Sequence, residues 1–189
     1  MSDSRHRWNA RWQDRKNDPE APDRWLVDVL PLLPKGTVLD VACGQGRNTL
    51  FLADHGFSVT AVDISEAGLQ QLAAAARLRK LTVETWQTDL EDAPNLPAGP
   101  FDVLIDFFYL HRPILPTLLE LVRPGGIVVL RTFSSAGPFD GGLDNPAFVL
   151  QPGELLKIFA GWDILRHEEG LEPSRKGGSL AGIVARRPL

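Results

Sequence analysis

One stretch constrains the fold more than any other. Asp40-Val41-Ala42-Cys43-Gly44-Gln45-Gly46-Arg47-Asn48 is a glycine turn set between a short apolar run and a helical pattern. Thr37 to Ala42 reads as a buried strand, and Asn48 to His55 as a helix stopped by Gly56. Ser58 to Val62 reads as a second strand. A strand, a glycine turn, a helix and a further strand make a βαβ unit, which needs cover on both faces of its sheet. The rhythm continues. Ser65 caps a predicted helix from Glu66 to about Lys80. Leu81 to Trp86 and Phe101 to Phe107 read as the third and fourth strands, with a helix from Ile114 to Val122 and a fifth strand from Gly126 to Phe133. Gly153 to Phe159 reads as a short helix, and Trp162 to Glu168 and Ser179 to Arg186 as two last strands. The expectation is a single α/β domain, doubly wound around a seven-stranded, mostly parallel sheet.

One link breaks the rhythm. Pro94, Pro97 and Pro100 between the third and fourth strands forbid a regular helix. Eleven extended residues still reach roughly 36–40 Å. Crossing three strand spacings takes about 14 Å, so a bare crossover is expected there.

Composition narrows the function classes. Of 189 residues, 43% are apolar and 23% charged, which fits an ordinary globule and excludes a disordered, collagen-like or coiled-coil chain. A single cysteine, Cys43, excludes a disulfide framework and a cysteine zinc cluster, and no metal site is expected. A net charge of -4 speaks against a general nucleic-acid grip, which needs a basic face. No window approaches the ~18 apolar residues of a membrane span. Met1 to Asp23 is too polar for a secretory signal. The expectation is a cytoplasmic protein with no membrane and no nucleic-acid partner. Nothing in the sequence sets its oligomeric state.

The glycine turn admits a ligand close to the backbone. A dinucleotide fingerprint would place a third glycine where Thr49 stands, and no Gly-Lys-Ser/Thr phosphate loop occurs. Asp40 decides more. A carboxylate at the end of the first strand repels a pyrophosphate. It attracts S-adenosylmethionine, which has no phosphate and carries an ammonium and a sulfonium. A nicotinamide oxidoreductase is disfavoured for the same reasons. Asp63 ends the second strand, where an acid accepts from ribose hydroxyls; nicotinamide sites share that device. Asp89 after the third strand is placed for an adenine amino group and Leu90 for its ring. Asp106 ends the fourth strand beside the methionine end of such a ligand.

Together these residues resemble the class I S-adenosylmethionine-dependent methyltransferases. Asp-x-x-Cys-Gly-x-Gly, the acid Asp63, Asp89-Leu90 and Arg123-Pro124-Gly125-Gly126 match that family in order, from about Gly36 onward. The resemblance implies a Rossmann-like fold whose last two strands form an antiparallel pair. The run Gly44 to Ala53 is similar to the tellurite-resistance methyltransferases, and the thiopurine-type enzymes are related small-molecule methyltransferases. Ala42 replaces a usual glycine, and Gly170 to Gly178 carries Arg175 and Lys176 where that group has His with Arg. The resemblance implies a cofactor site of Trp8, Arg11, Trp12, Asp40, Ala42, Cys43, Gly44, Gly46, Arg47, Asn48, Asp63, Ile64, Asp89, Leu90, Asp106 and Phe107. Residues 1–35 would form a helical lid or cap, and 36–189 the cofactor-binding domain.

Methyl transfer is an in-line displacement that needs alignment, exclusion of water and, for a hard nucleophile, a base. His111, Arg112 and Arg131 are the candidate acceptor-side groups, His111 as a base and the arginines as partners of an anion. Tyr109 and Phe108 read as core packing or as a stacking surface. Cys43 reads as a small residue filling a tight turn. The Gly/Pro-rich loop from Ser134 to Pro152 would wall the pocket. The acceptor is expected to be a small, soft nucleophile, a thiol or a selenium or tellurium species. An O- or N-methyltransferase of a small metabolite, or a cofactor-binding sensor without turnover, is the alternative.

Overall fold

The computed structural model describes residues 3–14, 21–143 and 145–189. Seven strands form one sheet: β1 (Thr37–Val41), β2 (Ser58–Asp63), β3 (Val83–Gln87), β4 (Phe101–Phe107), β5 (Val122–Ser134), β6 (Asp163–Pro173) and β7 (Ser179–Arg186). Their order is β3-β2-β1-β4-β5-β7-β6. The first five pair in parallel; β7 runs antiparallel to both β5 and β6. This is the expected doubly wound sheet with its antiparallel closing pair.

Alternation along each strand sorts the core into two layers. Leu39, Val41, Leu104, Val128 and Leu130 face α5 (Leu115–Glu120) and α6 (Glu154–Ile158), which bury Leu115, Leu118 and Leu155. Val38, Val103, Ile105, Ile127 and Val129 face the other way, toward Trp25, Leu26 and Val29 of α2 (Arg24–Val29) and Leu52 of α3 (Arg47–Asp54). α4 (Glu66–Leu78) packs Leu72 and Ala76 with Leu50 and Ala61. The Ser65 side chain accepts from Gly68 N and caps α4 as expected.

Several boundaries move for identifiable reasons. The helix expected over 114–122 is a 3-10 turn at Arg112–Ile114 followed by the short α5, because Pro113 and Pro116 both sit in its first turns. β5 begins at Val122 rather than Gly126, with a register shift against β4. β6 runs on past Glu168 to Pro173, since β7 keeps pairing with it. The connection from β3 to β4 has no helix, as expected. Trp86 Nε1 donates to Asn95 O at 2.7 Å and Asn95 N donates to Thr88 Oγ1 at 3.1 Å, which pins that crossover.

The N-terminal helix α1 (Asp3–Asp14) stacks Trp8 on Trp12, with centroids 6.1 Å apart and planes at 21°. No α1 residue is buried. Asn9 Oδ1 accepts from Ser65 Oγ at 2.7 Å and from Ala67 N at 3.2 Å, so α1 docks on the start of α4. Pro19, by type a helix breaker, lies outside the described residues.

Candidate functional site

The strand order reverses direction between β1 and β4, and ligands of doubly wound sheets sit outside the carboxyl ends of the strands at such a point. Here the ends of β1, β2 and β4 carry Asp40, Asp63 and Asp106, all buried. The glycine turn lies across them. Gly44 and Gly46 have φ of 59° and 77°, in the left-handed region that glycine enters without strain. A Cβ on Gly44 would stand 2.7 Å from Trp12 Cζ2, so the missing side chain also lets the indole of α1 lie on the turn. Ala42 occupies the same region at φ 53° although it has a side chain.

Asp63 holds this turn together. Its Oδ2 accepts from Gly44 N and its Oδ1 from Ser65 N, each at 2.7 Å. Burial raises its pKa, against the pull of those amides. Asp40 accepts from Thr49 Oγ1 at 2.5 Å. Its pKa is pushed up to about 7, first by burial and further by the charge of Asp63, although the Thr49 hydroxyl and Arg47 oppose the rise. Thr49, where a nucleotide fingerprint has glycine, therefore orients the first acid. Both oxygens of Asp106 are buried without a hydrogen-bond partner. Burial, and after it the charge of Asp40, drive its pKa well up. Burying clustered acids with one left unsatisfied costs free energy that a bound cation would recover. The ammonium and sulfonium of S-adenosylmethionine fit that demand.

Other predicted cofactor residues spread around this centre. Ile64 and Asp89 are half-buried and Leu90 is buried. Cys43 donates its amide to Val62 O at 3.0 Å, and burial raises its thiol pKa, as for a turn filler. Phe107 is buried beneath the β4 end. Arg11 lies over the rings of Trp8 and Trp12 at 5.3 and 5.9 Å.

Arg47 and Asn48 are drawn elsewhere. Asn48 is buried and its Oδ1 accepts from Asp23 N at 2.9 Å, while Arg47 reaches Asp23 Oδ2 at 3.5 Å. Arg131 also donates to Asp23, at 2.8 Å, and pairs with Glu172. Asp23 caps α2 by accepting from Trp25 N at 3.0 Å. The structure makes it the meeting point of α2, α3 and β5. No local pattern marks this, because its partners lie up to 108 residues away.

The acceptor-side expectations change most. Arg112 makes two bonds to Glu154, at 2.6 and 2.9 Å, and donates to Ala147 O and Val149 O at 2.7 and 2.9 Å. Its guanidinium ties the β4–α5 turn to the 134–152 loop instead of standing ready for a substrate anion. Arg131 is likewise held between two carboxylates. His111 precedes the 3-10 turn with no side-chain cap bond. The Tyr109 hydroxyl is buried without a partner. Burial and the carboxylates of Glu91, Asp106, Asp89 and Asp63 raise its pKa, so it stays a protonated donor. Among the described residues no group of three or more His, Cys, Asp or Glu is placed to hold a metal, and no helix is long and apolar enough to cross a membrane.

Residues 38–126 match the family of methyltransferase domains. Glycine N-methyltransferase of Oryctolagus cuniculus is 30% identical over 145 residues, which cover 65% of this chain and 49% of that protein. The probable S-adenosyl-L-methionine-dependent methyltransferase TehB of Haemophilus influenzae is 26% identical over 153 residues, covering 77% and 52%. The chain thus spans about half the length of these curated relatives. The TehB crystal structure superposes with a TM-score of 0.78 at 23% identity, over 95% of this chain and 67% of that one. A structure described under the conversion of a disulfide bond into a thioacetal group during echinomycin biosynthesis gives 0.74 at 22%, over 98% and 92%. Both likenesses concern the fold.

Proposed function

The chain belongs to the class I S-adenosylmethionine-dependent methyltransferases, and from that premise we propose that it transfers a methyl group to a small, soft nucleophile. The observation that carries the cofactor half is the orphaned, buried Asp106 beside Asp40. When bound, the cofactor supplies an electrophilic methyl on a sulfonium. Asp40 and Asp106 attract its cationic end. Asp63, with both oxygens already fixed by backbone amides, offers its remaining lone pairs to ribose hydroxyls. Asp89 and Leu90 take the adenine. α1 covers the site, with Trp12 on the glycine turn excluding water.

The acceptor half rests on what the β4 and β5 ends lack. Tyr109 stays protonated and both arginines are engaged, which leaves His111 as the side chain of the 107–112 segment suited to act as a base. A thiol, selenol or related anion needs the least help with its proton. The solved structure that concerns conversion of a disulfide bond into a thioacetal group accords with sulfur chemistry. Glycine N-methyltransferase among the relatives favours a second reading, an amine acceptor. A screen with labelled cofactor over thiols, selenite, tellurite, phenols and amines separates these. Turnover with thiols or chalcogen species is expected; turnover only with phenols or amines refutes the soft acceptor. Saturable cofactor binding with no transfer to any acceptor would make the protein a sensor.

A further inference from the structure

We propose that the Tyr109 hydroxyl reads the base of the cofactor, donating a hydrogen bond to a ring nitrogen of its adenine. This deepens the methyl-transfer reading and rests on it. Tyr109 stands just past the end of β4. Its hydroxyl is buried and has no hydrogen-bond partner. At the same strand end both oxygens of Asp106 are buried and equally without partners. A donor and an acceptor thus lie close in the chain and do not satisfy each other. Each therefore calls for a different ligand group: Asp106 for a cation, Tyr109 for an acceptor.

Phe108 sets the direction of Tyr109. Its φ of 65° lies in the left-handed region, which strains a bulky residue, and its amide donates to Arg131 O at 2.8 Å. Such strain persists where the surroundings over-determine it and gathers at ligand sites. The two neighbouring rings go to opposite layers of the core. Phe108 packs on the layer of Trp25 and Phe107, and Tyr109 on the layer of Val41 and Leu90. Leu90 and Asp89 are the residues that take the adenine. Packing explains the ring of Tyr109 but not its hydroxyl. Phenylalanine would fill the same volume and spare the cost of burying a donor without an acceptor.

The surroundings select the acceptor. Burial, then the carboxylates of Glu91, Asp106, Asp89 and Asp63, keep the proton on Tyr109. Those carboxylates repel an anionic acceptor such as the carboxylate of the methionine moiety. A neutral acceptor meets no such repulsion. The ribose hydroxyls belong to Asp63. The ring nitrogens of adenine are neutral acceptors, on the same heterocycle whose amino group donates to Asp89. An accepting carboxylate and a donating hydroxyl then read the two kinds of polar group on one base, and a base with that pattern altered leaves one of them unpaired.

Calorimetric titration of the unaltered protein and of Tyr109→Phe tests this, with S-adenosylhomocysteine and its 1-deaza, 3-deaza and 7-deaza analogues as probes. Thermal denaturation of both cofactor-free proteins accompanies it. Tyr109→Phe should bind S-adenosylhomocysteine about five-fold more weakly, the scale of one neutral hydrogen bond. Its Tm without cofactor should stay level or rise, because an unsatisfied buried hydroxyl is gone. One of the three analogues should bind both proteins alike, because it lacks the nitrogen that Tyr109 contacts. A loss that persists with all three analogues overturns the proposal, as does unchanged affinity for S-adenosylhomocysteine. A lower Tm of cofactor-free Tyr109→Phe overturns it too, since the hydroxyl is then satisfied within the fold. Failure of the unaltered protein to bind S-adenosylhomocysteine refutes the cofactor reading itself, and this proposal with it.

Discussion

Asp23 and Arg131 meet at 2.8 Å with their side chains 10% and 6% exposed, joining the start of α2 to the end of β5. Removing one partner of a buried pair strands the other charge. Asp23→Ala should therefore destabilise the fold by about 3–5 kcal/mol, toward the lower end because Glu172 still faces Arg131. Asp23→Asn keeps the cap on Trp25 N and should cost less. Urea denaturation of the two variants measures the difference, and equal losses would mean that the ion pair, not the cap, matters.

Asp40 should make cofactor-free stability fall as pH rises. Burial lifts its pKa from an ordinary 3.8 to about 7, so the folded chain holds this proton more tightly than the unfolded chain. The associated stability is present at low pH and fades as pH climbs through that window, the reverse of a salt-bridged acid. Asp106 shifts in the same direction. A cationic cofactor prefers the ionised acids, so its affinity should rise with pH over the same range. Asp40→Asn should flatten both trends, raising Tm without cofactor at about pH 8 while weakening S-adenosylmethionine binding. Thermal scans with and without cofactor across pH read both effects.

Trp12→Ala should weaken cofactor binding more than it weakens the fold. α1 buries none of its residues, so little core is lost. The ring lies on Gly44, however, where the cofactor approaches. A loss of about ten-fold in affinity, or about 1.4 kcal/mol, with a nearly constant Tm is expected. Deleting residues 1–20 should act alike. Unchanged affinity and turnover in both would remove the covering role.

Arg112→Ala should loosen the 134–152 loop. The guanidinium makes four bonds, two of them to the carbonyls of Ala147 and Val149. Faster proteolysis within that loop is expected, with affinity for S-adenosylhomocysteine preserved. If cofactor affinity falls as far as loop protection does, Arg112 serves the cofactor site as well.

Ala42→Gly should leave stability unchanged or raise it by up to about 1 kcal/mol. The left-handed backbone at φ 53° strains an alanine, and the greater freedom of glycine in the unfolded chain offsets part of the relief. Chemical denaturation reads the sign.

The sequence by itself determined the parallel sheet, the glycine turn at Gly44 and Gly46, the acids at three strand ends and the helix-free crossover. Each is a local signal: an apolar run, a residue free to take positive φ, a proline that blocks a helix. The four-residue spacing of Trp8 and Trp12 is local in the same way, since on a helix it puts both rings on one face. Tertiary structure decided the partners. Arg47, Asn48 and Arg131 all converge on Asp23, and Arg112 on Glu154, through contacts that span 24 to 108 residues. A guanidinium in a sequence carries a charge but no address. Which carboxylate claims it depends on which strand ends the fold brings together, and burial then sets how tightly it is held. The same burial turned Asp106 from one acid among many into an unsatisfied group in need of a cation.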